Sequence, residues 1–280
     1  MQVVPKFIAK TMTGIEWTDF SGNLWAGCTR IPANSGARSG CEICYAEKFG
    51  TNRMGIVWGA AEPRLKLSGF QARMRRLDRL AGDTGLSFSV FSLSLGDWLD
   101  PEVAPSWRTE LIGTVEACTH LTWLLLTHRP HLASRLLPGA WRTAPPANVW
   151  PGVTVDHPLH GYRWAQHAAY WGHTGRAWVS AEPLAASLAG VDLSGAAVTI
   201  YGGASGTSDP TWEFNPEWVS EAVDRYGEDR VFFKQHGEFR DGKRMGKKAA
   251  GRDLAGRIYD RTPWPRHREL LQQAAAGNTE

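Results

Sequence analysis

Short apolar runs alternate with amphipathic segments along the chain from about residue 85 onward. Each run has three to seven residues, is rich in Val, Ile, Phe, Leu or Trp, and in most cases ends in a polar or Gly-containing turn. Continuous apolar character is typical of strands that are buried on both faces, as in parallel sheets. The predicted strands are 87–93, 121–126, 149–155, 177–180, 198–201 and 231–233.

The amphipathic segments between these runs predict helices. Residues 105–118 begin with Pro and place Trp107, Leu111 and Val115 at helical spacing. Repeated strand–helix order predicts an α/β fold with right-handed crossovers, either an open doubly wound sheet or a complete or partial β/α barrel. The further predicted helices are 130–137, 159–171 and 216–226.

The N-terminal third has a different pattern. Residues 23–28 predict a first strand, which a loop connects to a helix near Cys44. Residues 62–80 are basic and predict either a solvated helix face or a contact with nucleic acid. The tail after Gly237 is also rich in Lys and Arg, and its pattern predicts loops with a last helix near 266–275.

Composition and charge narrow the class of protein. Of 280 residues, 42% are hydrophobic and 21% charged, which is typical of a globular chain. The net charge of +3 is compatible with a polyanionic partner but does not require one. The first ten residues lack a signal-peptide run, and no stretch reaches the length of a membrane span, so we expect a cytoplasmic protein with no membrane partner.

Three of the four cysteines fall within 17 residues, which indicates a metal site. Cys41 and Cys44 form a C-x2-C pair, and Cys28 lies 13 residues upstream of it. Three thiolates from one loop suit three irons of a four-iron cluster and leave the fourth iron open. A structural zinc site normally has four protein ligands, and the fourth here would be a distant Cys118 or a histidine. Spacing favours the cluster but leaves zinc open, and we expect Cys118 to be a buried core residue.

The residues that follow the predicted strands are polar or Gly-rich. Chemistry gathers at the carboxyl ends of strands in both candidate architectures. Glu182 and Lys234 each end a hydrophobic strand, where a charge is costly unless it is paired or functional. We therefore predict that they face the substrate or pair with one another. The strand ends are 94–97, 127–129, 154–156, 180–183, 202–206 and 234–237.

Several short motifs, in one order, resemble a known family. The chain resembles an uncharacterised phage and bacterial family of three-cysteine, radical-SAM-like proteins, itself distantly similar to spore photoproduct lyase, which repairs DNA. Departures are the twelve-residue gap after Cys28, Ala204 in place of a glutamate, and His128 and His236 in place of Lys and Trp. The matching segments are 13–19, 27–29, 41–47, 126–130, 152–155, 180–184, 202–206, 232–237 and 246–252.

The resemblance implies an architecture and cofactors. It implies a partial β/α barrel of the radical SAM type with about six or seven mostly parallel strands over 1–237, a cluster loop at 28–44, and a basic extension over 238–280 packed on the barrel. It also implies a 4Fe-4S cluster whose metal ligands are the three clustered cysteines, and S-adenosyl-L-methionine (SAM). An external electron donor of the flavodoxin or ferredoxin type would reduce the cluster, which would cleave SAM to a 5′-deoxyadenosyl radical that abstracts hydrogen from a substrate.

The resemblance also suggests which residues contact the cofactors. Tyr45, directly after the last cysteine, is expected to pack near the cluster or the adenine, or simply to anchor the loop. Asp97 is the candidate for the methionyl ammonium, since a carboxylate suits a buried cation. Ser92 and Ser94 alternate with Asp97 in strand spacing and are expected on its side of the sheet.

Two more strand-end residues complete the expected cofactor site. Thr154 and Asp156 suit the ribose hydroxyls, and a helix cap is the alternative for Asp156. The catalytic candidates are Glu182 and Lys234, and His236 is a candidate for proton exchange. Cys28, Cys41 and Cys44 would carry the cluster.

These features favour a radical SAM enzyme that acts on a nucleic-acid or nucleotide substrate, in DNA modification or repair. The basic segment 62–80 and the basic tail favour a polyanion. One alternative is a radical SAM enzyme that modifies a peptide or small metabolite. Another is a nucleic-acid-binding protein whose Fe–S or zinc site is structural.

Overall fold

A sheet of seven strands forms the centre of the computed structural model, which describes residues 4–32 and 36–277. Every neighbouring pair in this sheet is parallel. Residues 33–35, within the predicted loop after Cys28, lie outside the described residues. The strands are β1 (Phe20–Gly22), β4 (Ser89–Ser92), β5 (Thr122–Thr127), β6 (Val149–Thr154), β7 (Trp178–Ala181), β8 (Thr199–Gly202) and β9 (Val231–Gln235).

The seven strands follow one another across the sheet in chain order, β1-β4-β5-β6-β7-β8-β9. Right-handed crossovers between successive neighbours put all the connecting helices on one face of the sheet. A doubly wound sheet would reverse its strand order partway across, so that alternative is wrong. Within the ladders of the described residues, β1 and β9 are not paired with each other. The predicted α/β partial barrel, with seven strands, is therefore confirmed.

Helices follow most of the strands, close to the predicted positions. The predicted helix over 130–137 is a 3-10 turn followed by one short α-helix. No helix in 4–32 and 36–277 is long and apolar enough to cross a membrane. The helices are α1 (Lys6–Ala9), α2 (Tyr45–Met54), α3 (Phe70–Thr84), α4 (Pro105–Ala117), α5 (Ala133–Leu136), α6 (Gly161–Trp171), α7 (Glu217–Tyr226), α8 (Lys247–Ala250) and α9 (Arg268–Ala276).

The first strand lies earlier in the chain than predicted. Phe20–Gly22 enters the sheet, whereas β2 (Trp25–Ala26) leaves it to pair antiparallel with β3 (Leu65–Lys66). Pairing with β4 ends after Gly22 because Asn23 uses its side chain, not its backbone, to accept a hydrogen bond from the Leu95 N–H at 2.8 Å. The predicted strand over 23–28 is therefore wrong in its position.

Alternation along the strands divides the core into two parts. Side chains such as Val90, Trp123 and Val179 belong to a large core that includes the buried residues of the helices. Their sequence neighbours on the same strands, such as Leu124 and Trp178, belong to a smaller aromatic core on the inner face. The predicted parallel strands are thus buried on both faces.

The C-terminal segment packs into the inner core. The Trp264 ring lies against the rings of Trp150 and Trp178, and its Nε1 donates to the Trp17 carbonyl at 2.9 Å. In α9, the Arg268 guanidinium donates to three carbonyls of the N-terminal segment. A small ladder of β10 (Phe239–Arg240) and β11 (Lys243–Arg244) precedes it. The division of the chain at residue 237 remains a prediction.

Replacing Trp264 by Ala should therefore destabilise the whole fold. We expect a loss of about 3–5 kcal/mol in the free energy of unfolding, because a large buried ring leaves a cavity that its neighbours fill only in part. Urea unfolding followed by tryptophan fluorescence measures this. Ile258→Ala is the matched control from the same segment, since Ile258 is exposed and should change stability by less than about 0.5 kcal/mol. Equal effects of the two variants would show that the tail is not part of the inner core.

Candidate active site

A cavity of about 580 Å³ opens on the inner face of the sheet, at the carboxyl ends of the strands. Its volume falls within the range of small-molecule sites, roughly 300–1,000 Å³. Nine of the eleven predicted site residues line it, and Ser92 and Asp156 are the two that do not. The nine are Cys28, Cys41, Cys44, Tyr45, Ser94, Asp97, Thr154, Glu182 and Lys234.

A short 3-10 turn over Gly40–Ile43 presents the C-x2-C pair. Ser39 and Glu42 form a capping box at its start, in which the Glu42 carboxylate accepts from the Ser39 N–H at 2.9 Å. Gly40 has to be glycine, because an added Cβ would lie 2.7 Å from Cδ of Pro183. The loop can therefore lie directly against the strand ends.

Asp156 lies behind the cavity wall and holds this turn. Its carboxylate accepts from the Gly40 N–H at 2.7 Å and pairs with His160 at 2.6 Å and Arg163 at 3.2 Å. Burial acts to raise the pKa of Asp156, but the hydrogen bond from His160 and the charge of Arg163 outweigh it and hold the pKa well below its usual range. The carboxylate is thus ionised and committed to the turn.

A second buried carboxylate fixes the other end of the loop. Asp97 pairs with the Arg129 guanidinium at 2.7 Å and accepts from the Thr127 hydroxyl at 2.7 Å. The same guanidinium lies 3.7 Å from the Cys28 sulfur and donates to the Thr29 carbonyl. Burial acts to raise the pKa of Asp97, and the charge of Arg129 outweighs it, so that the pKa is lowered. The predicted contact of Asp97 with an ammonium group remains a prediction.

Asp100 and Arg64 extend this second network. The Thr29 N–H donates to the Asp100 carboxylate at 3.0 Å, and Arg64 pairs with the same carboxylate at 2.8 Å. Sequence reasoning gave no role to Arg64, Asp100 or Arg129. Only the position of Arg129, directly after a strand, was a signal that could have identified it.

The three clustered thiols are free and face the same cavity. Burial raises the pKa of Cys28 well above its usual value, and also raises those of Cys41 and Cys44. Without a bound cation they are therefore neutral thiols, and metal binding must release their protons. Cys118 is buried in the core, as predicted.

The donor set of three thiols is of the kind that an iron–sulfur cluster takes. No group of three His, Cys, Asp or Glu side chains within 4–32 and 36–277 is placed to hold one metal ion. A tetrahedral zinc ion would draw its sulfurs to about 2.3 Å from one centre. In a four-iron cluster each cysteine binds a different iron, so the sulfurs stand further apart. Three free thiols line the one cavity and could each bind one iron of such a cluster.

The cavity floor presents two hydroxyls side by side. Thr154 and Ser180 are partners across β6 and β7, and only 1% and 4% of their surfaces are exposed. Neither hydroxyl has a hydrogen-bond partner among the described residues, although both residues line the cavity. The sequence places Ser180 at a predicted strand end but predicts no role for it. Unpaired buried hydroxyls of this kind are available to a ligand.

Charged and aromatic side chains complete the walls. Lys234 and Glu182 line the cavity and form an ion pair there, which is one of the two predicted alternatives; that they face a substrate remains a prediction. Burial lowers the pKa of His128 to about 4, so this cavity residue is neutral near pH 7. His236 bonds instead to the Asp253 carbonyl at 2.8 Å and is not among the lining residues.

Of the three predicted cofactor contacts Tyr45, Ser92 and Ser94, only Tyr45 and Ser94 line the cavity. The Tyr45 hydroxyl donates to the Ser94 carbonyl at 2.8 Å, so it anchors the loop while its ring lines the cavity. Alternation along β4 puts Ser92 on the opposite side from Phe91 and outside the cavity lining. The alternation stops at Leu93, whose φ is +64°, and Ser94 therefore lines the cavity although Ser92 does not. The expectation that Ser92 and Ser94 share one side is therefore wrong.

The anchoring role of Asp156 gives a measurable stability change. Asp156→Asn should lower the free energy of unfolding at pH 7 by about 3 kcal/mol or more, because it leaves Arg163 buried without a charged partner. The folded-state pKa lies below the unfolded value of about 3.9, so the difference from wild type should be complete above about pH 4 and shrink as the pH falls. Urea titrations between pH 3 and 7 measure it.

An exposed carboxylate provides the control for this variant. Asp241→Asn should leave stability within about 0.5 kcal/mol of wild type, since its side chain is solvated. A difference for Asp156→Asn that stayed constant down to pH 3 would contradict the ionised anchor.

Comparisons with known proteins bear on the fold and the family. A mutant of spore photoproduct lyase with bound AdoMet and dinucleoside spore photoproduct is similar in structure, with a TM-score of 0.44 and 11% identity over 75% of this chain and 61% of that chain. The lyase complexed with dinucleoside spore photoproduct gives the same values. A further mutant gives 0.43 and 12%. The chain thus spans less than two thirds of these structures, and at this identity the likeness concerns the fold alone.

Sequence comparison gives one match and one negative result. The family described as "Protein of unknown function (DUF5131)" matches residues 12–263. No curated protein matches the chain.

Proposed function

The chain belongs to the DUF5131 family of proteins of unknown function, and we propose that it is a radical SAM enzyme acting on a nucleic-acid or nucleotide substrate. One observation carries this proposal: Cys28, Cys41 and Cys44, presented by one loop, line a single cavity at the carboxyl ends of a partial barrel. A 4Fe-4S cluster held by these thiols would supply reductive cleavage of SAM when bound.

The chain's own residues position this chemistry. Asp97, through Arg129, fixes the end of the loop that carries Cys28, and Asp156 fixes the turn that carries Cys41. Fixing both ends before any cofactor binds reduces the ordering that binding requires. Asp97 also lines the cavity, and we propose that its carboxylate accepts a hydrogen bond from the methionyl ammonium of SAM while it stays paired with Arg129.

The remaining polar groups suit a ligand with hydroxyls. The unpaired hydroxyls of Thr154 and Ser180 would hydrogen-bond the ribose of SAM, and the Tyr45 ring would pack near the adenine. Phe91, Leu126 and other apolar side chains of the wall exclude water, which protects a reactive carbon centre from side reactions.

Glu182 and Lys234 are the proposed substrate-facing residues. The two charges of this pair cancel each other, and a ligand that carries a phosphate or carbonyl oxygen would accept from the Lys234 ammonium. The Glu182 carboxylate would then accept a hydrogen bond from a donor on the same ligand. The reducing electron would come from an external donor of the flavodoxin or ferredoxin type.

Reconstitution tests the proposal directly. Anaerobic treatment of the full chain with iron and sulfide should give about four irons per chain, and dithionite with SAM should then release methionine and 5′-deoxyadenosine, measured by mass spectrometry. Cys41→Ala should lose iron and cleavage, whereas Cys118→Ala should keep both, since Cys118 lies in the core away from the loop. Stoichiometric zinc without SAM cleavage would instead support a structural metal site.

The cavity hydroxyls give a second, independent test. A Thr154→Val/Ser180→Ala variant should keep its iron content but raise the Kd for SAM about tenfold or more, because it removes two hydrogen bonds of about 1 kcal/mol each. Calorimetric titration of the reconstituted protein measures this Kd. Ser87→Ala is the control, since this hydroxyl bonds to Thr122 at the far end of the strands. An unchanged Kd for the double variant would remove these residues from the SAM site.

A further inference from the structure

Two aromatic side chains stand exposed at the mouth of the cavity. Tyr45 and Phe49 lie one turn apart on α2, and 53% and 49% of their surfaces are exposed. Residues four apart share one helix face, and both of these line the cavity, as does Trp58. Exposed rings next to a cavity are typical of a surface that binds a planar partner.

A basic hairpin lies at the same mouth. The segment 239–248 contains β10, β11 and the start of α8, with five Lys or Arg and one Asp, a net charge of 5 − 1 = +4. Lys247 lines the cavity, and Lys243, Arg244 and Lys248 are exposed. This short segment therefore carries a larger positive excess than the whole chain.

The loop around Gly206 joins the two features. Lys48 of α2 donates to the Gly206 carbonyl at 2.7 Å, and the Gly206 N–H donates to the Glu238 carboxylate at 2.9 Å. The Glu238 carbonyl in turn accepts from the Met245 N–H of the hairpin at 2.9 Å. The aromatic helix and the basic hairpin are thus parts of one continuous rim.

The other basic segment lies elsewhere. Helix α3 exposes Arg75, Arg76 and Arg79, but its buried residues pack into the large core, and none of these arginines lines the cavity. The exposed cations of the two basic segments are therefore not equivalent, because Lys247 of the C-terminal segment lines the cavity and the exposed arginines of α3 do not.

We propose that this rim binds a single-stranded or extrahelical segment of nucleic acid. The hairpin contacts phosphates, Phe49 stacks on a base, and one nucleotide enters the cavity past Tyr45. Base stacking on aromatic rings is tolerant of sequence, and cationic grooves follow the phosphate backbone. The cavity holds a nucleotide unit but not a base-paired segment, so a target inside a duplex would have to leave its stack. This inference rests on the nucleic-acid substrate of the proposed function.

Fluorescence anisotropy of the full chain with a labelled 12-nucleotide DNA strand and its hairpin duplex tests this proposal. Single-stranded DNA should bind about tenfold more tightly than the duplex, with affinity that falls as salt rises. Lys243→Ala/Arg244→Ala/Lys248→Ala should reduce the salt slope by about 2, because each phosphate that a cation neutralises on a single strand accounts for about 0.7 of that slope. The matched α3 variant, Arg75→Ala/Arg76→Ala/Arg79→Ala, removes the same charge and should bind like wild type.

Variants of Phe49 test stacking separately. Phe49→Ala should weaken binding about fivefold or more without changing the salt slope, because base stacking contributes about 1–3 kcal/mol per base. Phe49→Leu keeps an apolar side chain without an aromatic ring, so it should weaken binding as much. Circular dichroism and urea unfolding confirm that each variant is folded.

Several results would overturn the inference. Equal losses of affinity for the hairpin and α3 triple variants would show a general charge effect. Equal affinity for duplex and single-stranded DNA would show that bases do not stack on the exposed aromatic rings. Tighter binding to anionic lipid vesicles or to polyglutamate than to DNA would identify another partner. SAM cleavage without DNA binding would refute this inference alone, whereas DNA binding with stoichiometric zinc and no cleavage would refute the proposed enzyme alone.

Discussion

The site depends on two ionised carboxylates, Asp97 and Asp156, that are almost completely buried. An unpaired charge in such a position is very costly, so each must have close partners of opposite charge or good hydrogen-bond donors. Asp97 has Arg129 and the Thr127 hydroxyl, and Asp156 has Arg163, His160 and a backbone N–H of the cysteine loop. Because the loop supplies the Gly40 N–H to Asp156 and the Thr29 carbonyl to Arg129, any large displacement of the loop would leave these buried groups without a partner. The position of the three thiols is therefore linked to the stability of the barrel.

The strand order makes this arrangement possible. A singly wound parallel sheet has one face covered by helices and one concave face, which the chain must close with other segments. Trp17 and Trp264 fill that face next to the sheet, and the cysteine loop covers the carboxyl ends of the strands. The space left between them is the cavity, so its walls come from elements far apart in sequence.

Much of the fold and part of the site could be predicted from the sequence. The apolar runs located six of the seven strands, since strands buried on both faces are visible as uninterrupted hydrophobic segments. The cysteine spacing and the strand-end positions located nine residues of the cavity lining. The sequence could not place β1, because the choice between 20–22 and 25–26 depends on where the Asn23 side chain bonds. The sequence also could not show that Asp97 and Asp156 are paired with buried arginines and anchor the loop. Their partners, Arg129 and Arg163, are not identifiable as buried from the sequence, because arginine is usually exposed.

The packing of Trp264 has a consequence for how the protein is made. The inner core contains both Trp17 and Trp264, so the concave face is complete only after residue 264 has been synthesised and has reached the N-terminal segment. Contacts between residues so far apart in sequence form slowly, because a long loop has to close before they can be made. The cavity that the three thiols line is therefore not enclosed until this contact has formed, and a partly folded chain exposes these thiols to solvent.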